Sequence, residues 1–123
     1  MKRDLDLFRD ILLKIEESGS EISPLSIEDF LKFNADPEVI SYHLYLLFNA
    51  GFINVAFEKP FYDTTNYFVT TLTMQGCDYL DAVRDVGIWH DVKEKLKAVG
   101  GPASLDIVKA VAIKIVASHI EHP

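Results

Sequence analysis

Four histidines (His43, His90, His119, His122), the lone Cys77 and the pair Tyr42/Tyr45 are the side chains with the most chemistry to offer in this sequence. The histidines are scattered. His119 and His122 stand three apart, a chelating interval on a helix, but no cysteine or acidic ligand set lies nearby to complete a tetrahedral site, so no metal is expected. Cys77 follows Gly76 near a helix start, where the dipole can lower a thiol pKa; it reads first as a small side chain facing the core. His43 sits beside an apolar stripe and reads as a core-edge histidine rather than a base. Gly-rich phosphate loops, nucleophile elbows and zinc-protease motifs do not occur. An enzyme is not expected, nor a cofactor.

What remains is recognition chemistry. With Ile40, Leu44, Leu47 and Phe48 as a buried stripe, the helix carrying them presents Glu38, Tyr42, Tyr45 and Asn49 on its other side, with Ser41 and Leu46 at the margins. Ser41 and Asn49 suit base edges, the tyrosines suit phosphates, and Lys59 further on would touch a backbone. The same face also suits a protein partner, because tyrosine is enriched and lysine depleted at interface centres. Charge weighs against nucleic acid. From Ile22 to Leu72 only Lys32 and Lys59 are basic, against six acids, a balance of −4 on the surface that would meet a polyanion.

The elements that must position these residues follow from pattern and punctuation. Leu5, Phe8, Ile11, Leu12 and Ile15 recur at helical spacing within residues 2–18, and Ser18-Gly19-Ser20 ends that helix. Ile22 lies in a short extended piece before Pro24. Ser26, with Asp29 three residues on, opens a second helix of about two turns over Ile27, Phe30, Leu31 and Phe33. Asp36-Pro37 starts a third, running to Ala50, with Gly51 as its stop. Residues 52–57 and 66–72 are rich in aromatic and β-branched side chains and read as antiparallel strands, with Phe61 and Tyr62 near the tip between them. Thr73 caps a fourth helix, Ile88 to Val99 lie on a fifth, and Ser104 caps a sixth reaching His119. The expected fold is therefore α+β and mostly helical: a winged helix-turn-helix of three helices and a β-hairpin wing, with additional C-terminal helices.

Residues 1–86 carry seven Lys+Arg against fifteen Asp+Glu, whereas 87–123 carry five against four. We read a winged-helix domain over 1–86 and a helical extension for packing or dimerisation over 87–123, together one compact unit. The last helix is apolar almost all round and must be buried on more than one side. Either it packs across its own domain, or Leu105, Val108, Val111, Ala112, Ile115 and Val116 join a second copy as a homodimer. Asp106, Lys109 and Lys114 argue against a membrane span. The whole chain has 123 residues, 49% hydrophobic and 25% charged with a formal charge of −7, the proportions of a globular chain with a real core. One cysteine and an acidic opening without an apolar leader point to the cytoplasm.

Three stretches together resemble a family. The opening from Met1 to Glu17, the central run from Tyr42 to Ile53, and Leu72 to Arg84 with Ile88-Trp89 are similar to the short bacterial proteins grouped as domain of unknown function 2513. That resemblance implies a winged-helix module, often of prophage origin, and DNA-linked regulation by analogy of fold. It implies no catalytic residues. The alternative is an acidic winged-helix module that binds protein and no nucleic acid.

Overall fold

Asp4 starts the first helix. Its carboxylate accepts the Leu7 backbone N–H at 3.1 Å, and α1 runs Leu5–Ser18. The computed structural model describes residues 2–56, 68–100 and 104–121, divided into two compact units, 1–77 and 78–123. In the first unit α1 buries Leu7, Phe8, Ile11, Leu12 and Ile15, so Leu7 supplies the apolar surface expected of the half-buried Leu5. Gly19 ends α1 against the hairpin: a β-carbon there would stand 2.5 Å from the Thr70 carbonyl oxygen.

The expected two-turn second helix is one turn of 3₁₀ helix, Ile27–Phe30. Its bonds continue in the tight register, Leu31 N–H to Glu28 O at 3.3 Å and Phe33 N–H to Phe30 O at 3.0 Å. Phe30 alone in that turn is fully buried, and one anchor per turn gives no amphipathic stripe to hold a longer helix. The Asn34 side chain then takes the Asp36 N–H at 2.9 Å, and Asp36 takes the Glu38 N–H at 2.9 Å. This relay begins α2, Pro37–Asn49, with proline in its first turn as expected.

The two strands are β1, Ile53–Ala56, and β2, Phe68–Leu72, antiparallel as expected but shorter than read from pattern. Between the pairs Ile53–Leu72 and Val55–Val69, β2 holds one residue more than β1, a bulge. Asn54 spans it: its side-chain amide donates to Thr71 Oγ1 at 3.1 Å while its backbone carbonyl accepts from Thr70 Oγ1 at 3.2 Å. Leu25 adds an unexpected isolated bridge on the other edge of β2, exchanging both backbone bonds with Val69 at 2.8 Å. Ile22, expected in that extended piece, is almost wholly exposed.

The expected fourth helix is α3, Met74–Val83, and the unit boundary falls within it. In the second unit α4 covers Val86–Val99 and α5 Leu105–Glu121. Asp85 caps α4 through the Ile88 N–H at 2.9 Å, Gly100 closes it at φ +72°, and the Ser104 hydroxyl caps α5 through Ile107. The pair is antiparallel, since His119 near the end of α5 comes within 4.0 Å of Asp91 on α4. Only Val108 and Ala112 of α5 are fully buried, with Trp89 and Val92 of α4. Ile107, Ile113, Val116 and Ile120 remain exposed, so within one chain this helix is buried along one side, not several. Among the described residues no helix is long and apolar enough to cross a membrane.

Candidate functional site

The recognition face is set by the phase of α2. Its fully buried residues are Ile40, His43, Leu44 and Leu47, the i, i+3, i+4, i+7 stripe of an amphipathic helix. Phe48, expected in that stripe, falls one step beyond its edge and is 39% exposed; His43 takes the inward place. Opposite the stripe, Glu38, Tyr45 and Asn49 are exposed, and Ser41 and Tyr42 are half-buried on its flanks. The structure thus brings Ser41, Tyr42, Tyr45 and Asn49 to one side of one helix. Lys59, with Phe61 and Tyr62 near the expected hairpin tip, lies outside the described residues, as does His122.

His43 fixes this face in place. Its Nε2 accepts the Asp4 backbone N–H at 2.8 Å, which leaves the proton on Nδ1 to be donated to the Val39 carbonyl at 2.8 Å. The imidazole packs on Phe8 of α1 with ring centroids 4.8 Å apart, and on the edge of Tyr42 at 5.5 Å. Both ring nitrogens are therefore committed to backbone, and the ring is fully buried. That is the expected core histidine, not a proton carrier open to substrate.

A second joint holds the far end of α2. Gly51, at φ +76°, turns the chain out of the helix. The Thr73 hydroxyl donates to the Gly51 carbonyl and accepts the Gly76 N–H at 3.1 Å, while the Thr73 N–H reaches the Phe52 carbonyl at 3.0 Å. Gly76 presses so closely on Phe52 that a β-carbon would stand 2.0 Å from its carbonyl oxygen. One threonine side chain therefore ties the exit of α2 to the first turn of α3. Cys77, one residue on, is half-buried rather than enclosed.

The electrostatics of the face are acidic. Glu28, Asp29, Asp36 and Glu38 are exposed on the 3₁₀ turn and the start of α2. Lys32 is the lone cation among described residues 22–56, and its ammonium lies 5.2 Å from the Phe33 ring centroid. α2 itself contains neither lysine nor arginine. Of the residues expected at a dimer contact, Val108 and Ala112 are fully buried. Leu105, Val111 and Ile115 are half-buried and Val116 is exposed, and the other exposed large apolar side chains of α5 are Ile107, Ile113 and Ile120. Spacing alone did not separate the buried positions from the exposed ones, since both are apolar.

Comparison with known proteins agrees with the family resemblance noted in the sequence. A Haemophilus influenzae protein, described as an uncharacterized protein, is 36% identical over 116 residues, covering 94% of this chain and 96% of its own length. No solved structure matches the chain. Residues 2–102 match the model of the family described as hypothetical protein (DUF2513), and the chain belongs to that family.

Proposed function

We propose that this chain is a regulatory module of winged-helix type whose α2 face recognises a protein rather than DNA. The order of helix, Leu25 bridge, short helix, helix and hairpin supports the winged-helix reading, because it sets a short helix and a longer one ahead of an antiparallel hairpin. The observation that carries the choice of partner is the composition of the exposed side of α2. It offers an aromatic ring, an amide and a carboxylate (Tyr45, Asn49, Glu38) and no cation. A helix entering the groove of a duplex meets one negative charge about every 1.7 Å of axis, and this one brings nothing to neutralise it. A protein surface with basic groups around an apolar centre complements it.

The test is capture by the immobilised chain from a bacterial extract, compared with a Tyr45→Ala/Asn49→Ala chain whose circular dichroism is unchanged. Both positions are exposed, so the fold survives the substitution. A discrete protein held by the parent and lost by the variant supports the reading. Equal capture by both chains removes this face, and sequence-selective enrichment in a random-duplex selection at low salt replaces the protein partner with DNA.

A further inference from the structure

The second unit contains an apolar groove that the α2 reading does not use. It opens between α4 and α5 with a volume of 440 Å³, within the range of small-molecule sites. Its walls are Leu96, Val99, Ile107, Val111 and Ile115, with Gly100 at the corner where α4 stops. Side chains that would normally hide are open along it: Val99 is 85% exposed and Ile107 53%.

The groove is polarised along its length. Because the two helices run antiparallel, Val99, Gly100, Ile107 and Val111 lie toward the end where α4 stops, and among the described lining residues that end is apolar. Toward the other end stand Lys95, Lys114, Ser118 and His119, so every ionisable lining group is a base. Among the described residues no carboxylate lines the groove, and Asp91 stands 4.0 Å from His119. From Ile107 to Ile115 the apolar floor extends about 12 Å at 1.5 Å per helical residue.

One apolar end and one cationic end match a ligand with a single tail and a single negative head. An amphipathic partner helix would instead need its charges along both flanks. We propose that the α4–α5 groove binds a free medium-chain fatty carboxylate, its tail toward Gly100 and its carboxylate between Lys95 and Lys114. The tail removes the exposed side chains of Val99 and Ile107 from water, and the head takes charge-assisted hydrogen bonds from the two ammonium groups. The lysines are solvent-facing until the ligand arrives, so no buried unpaired charge is left in the empty form.

Laurate, dodecyl maltoside and dodecyltrimethylammonium, each titrated below its micelle concentration into the ¹⁵N-labelled full chain, distinguish the outcomes. Expected are saturable shifts for laurate at one per chain, centred on residues 95–100 and 107–118. The neutral and cationic probes bind at least ~10-fold more weakly. Lys95→Glu/Lys114→Glu, on the rim, weakens laurate by ~10-fold or more without changing the amide spectrum elsewhere. Ile107→Asp, also exposed, abolishes the shifts at the corner. Equal affinity for all three probes, no saturation, or shifts produced only by laurate-containing vesicles overturns the proposal. So does sedimentation showing that a second copy fills the groove and excludes laurate. Each outcome is independent of whether α2 recognises protein or DNA.

Discussion

At the scale of single residues, two positions tie distant parts of the first unit together. His43 bridges 39 positions of sequence to reach the Asp4 amide while its other nitrogen stays on α2. Replacing it with leucine keeps the bulk but leaves the Asp4 N–H without this acceptor. We expect a loss of about 1–3 kcal/mol in urea unfolding, with His43→Gln recovering part of it. Gly76 is the sharper case. Alanine there meets the Phe52 backbone carbonyl, which cannot swing aside, so Gly76→Ala costs ~3 kcal/mol or more, the upper range for overpacking. Gly51→Ala meets only the flexible end of Gln75 and carries the left-handed φ, and its expected cost is about 1–2 kcal/mol by the same denaturation. The inward role of His43 was legible from its place beside the stripe. Its partner was not, because no local pattern encodes an amide from another helix. Gly76 lies in the Leu72–Arg84 stretch that carries the family resemblance, and the reason for glycine there is the approach of the Phe52 backbone.

Elements followed the same division between local and distant causes. Helix starts were legible where a capping side chain precedes an apolar run: Asp36, Thr73 and Ser104 all make the bonds their sequence positions imply. Thr73 does more than cap, since its hydroxyl also donates to the Gly51 carbonyl. Thr73→Ala is therefore expected to cost ~2 kcal/mol, more than the typical ~1 kcal/mol for a lost cap, and Thr73→Ser to restore most of it. Asp36→Ala, a solvent-exposed cap, sets the reference at ~1 kcal/mol; thermal melts of the three variants rank them. The second helix was overread because Leu31 and Phe33 looked like a continuing stripe, whereas both are only half-buried and the chain keeps the tight 3₁₀ register. The bulge in β2 was invisible in advance. Alternation predicts which residues form a strand, but an extra residue reveals itself only against the partner strand, where Asn54 holds Thr70 and Thr71. For α5 the all-round apolar pattern led to the expectation of burial on more than one side, whereas a single chain fully buries only Val108 and Ala112.

For the whole molecule the informative quantity is charge, whose total and placement along the chain the sequence gives. The chain carries −7, and residues 22–72 hold two lysines against six acids. Folding does not rescue that stretch: Glu28, Asp29, Asp36 and Glu38 stay at the surface, two of them already serving backbone amides at the 3₁₀ turn and the start of α2. Repulsion of a polyanion is thus built into the same residues that start the helices. Reversing the two acids that do not hold helix-start amides isolates this effect. In a Glu28→Lys/Glu38→Lys chain the stretch has four bases and four acids, and the capping Asp29 and Asp36 are untouched. The parent chain is expected to show no retention of a mixed-sequence duplex in fluorescence anisotropy, even at low salt. The reversed chain is expected to gain weak binding that falls as salt rises, with a log–log slope of about −0.9 per phosphate neutralised. A helix-dipole cost of about 0.3–1 kcal/mol at Glu38, in the first turn of α2, is too small to unfold the variant. Duplex binding by the parent would show that cations outside the described face outweigh it, and the protein-recognition reading would then give way. If instead the parent is silent and the reversed chain binds, acidity is what keeps this helix from DNA, as the protein-recognition reading requires.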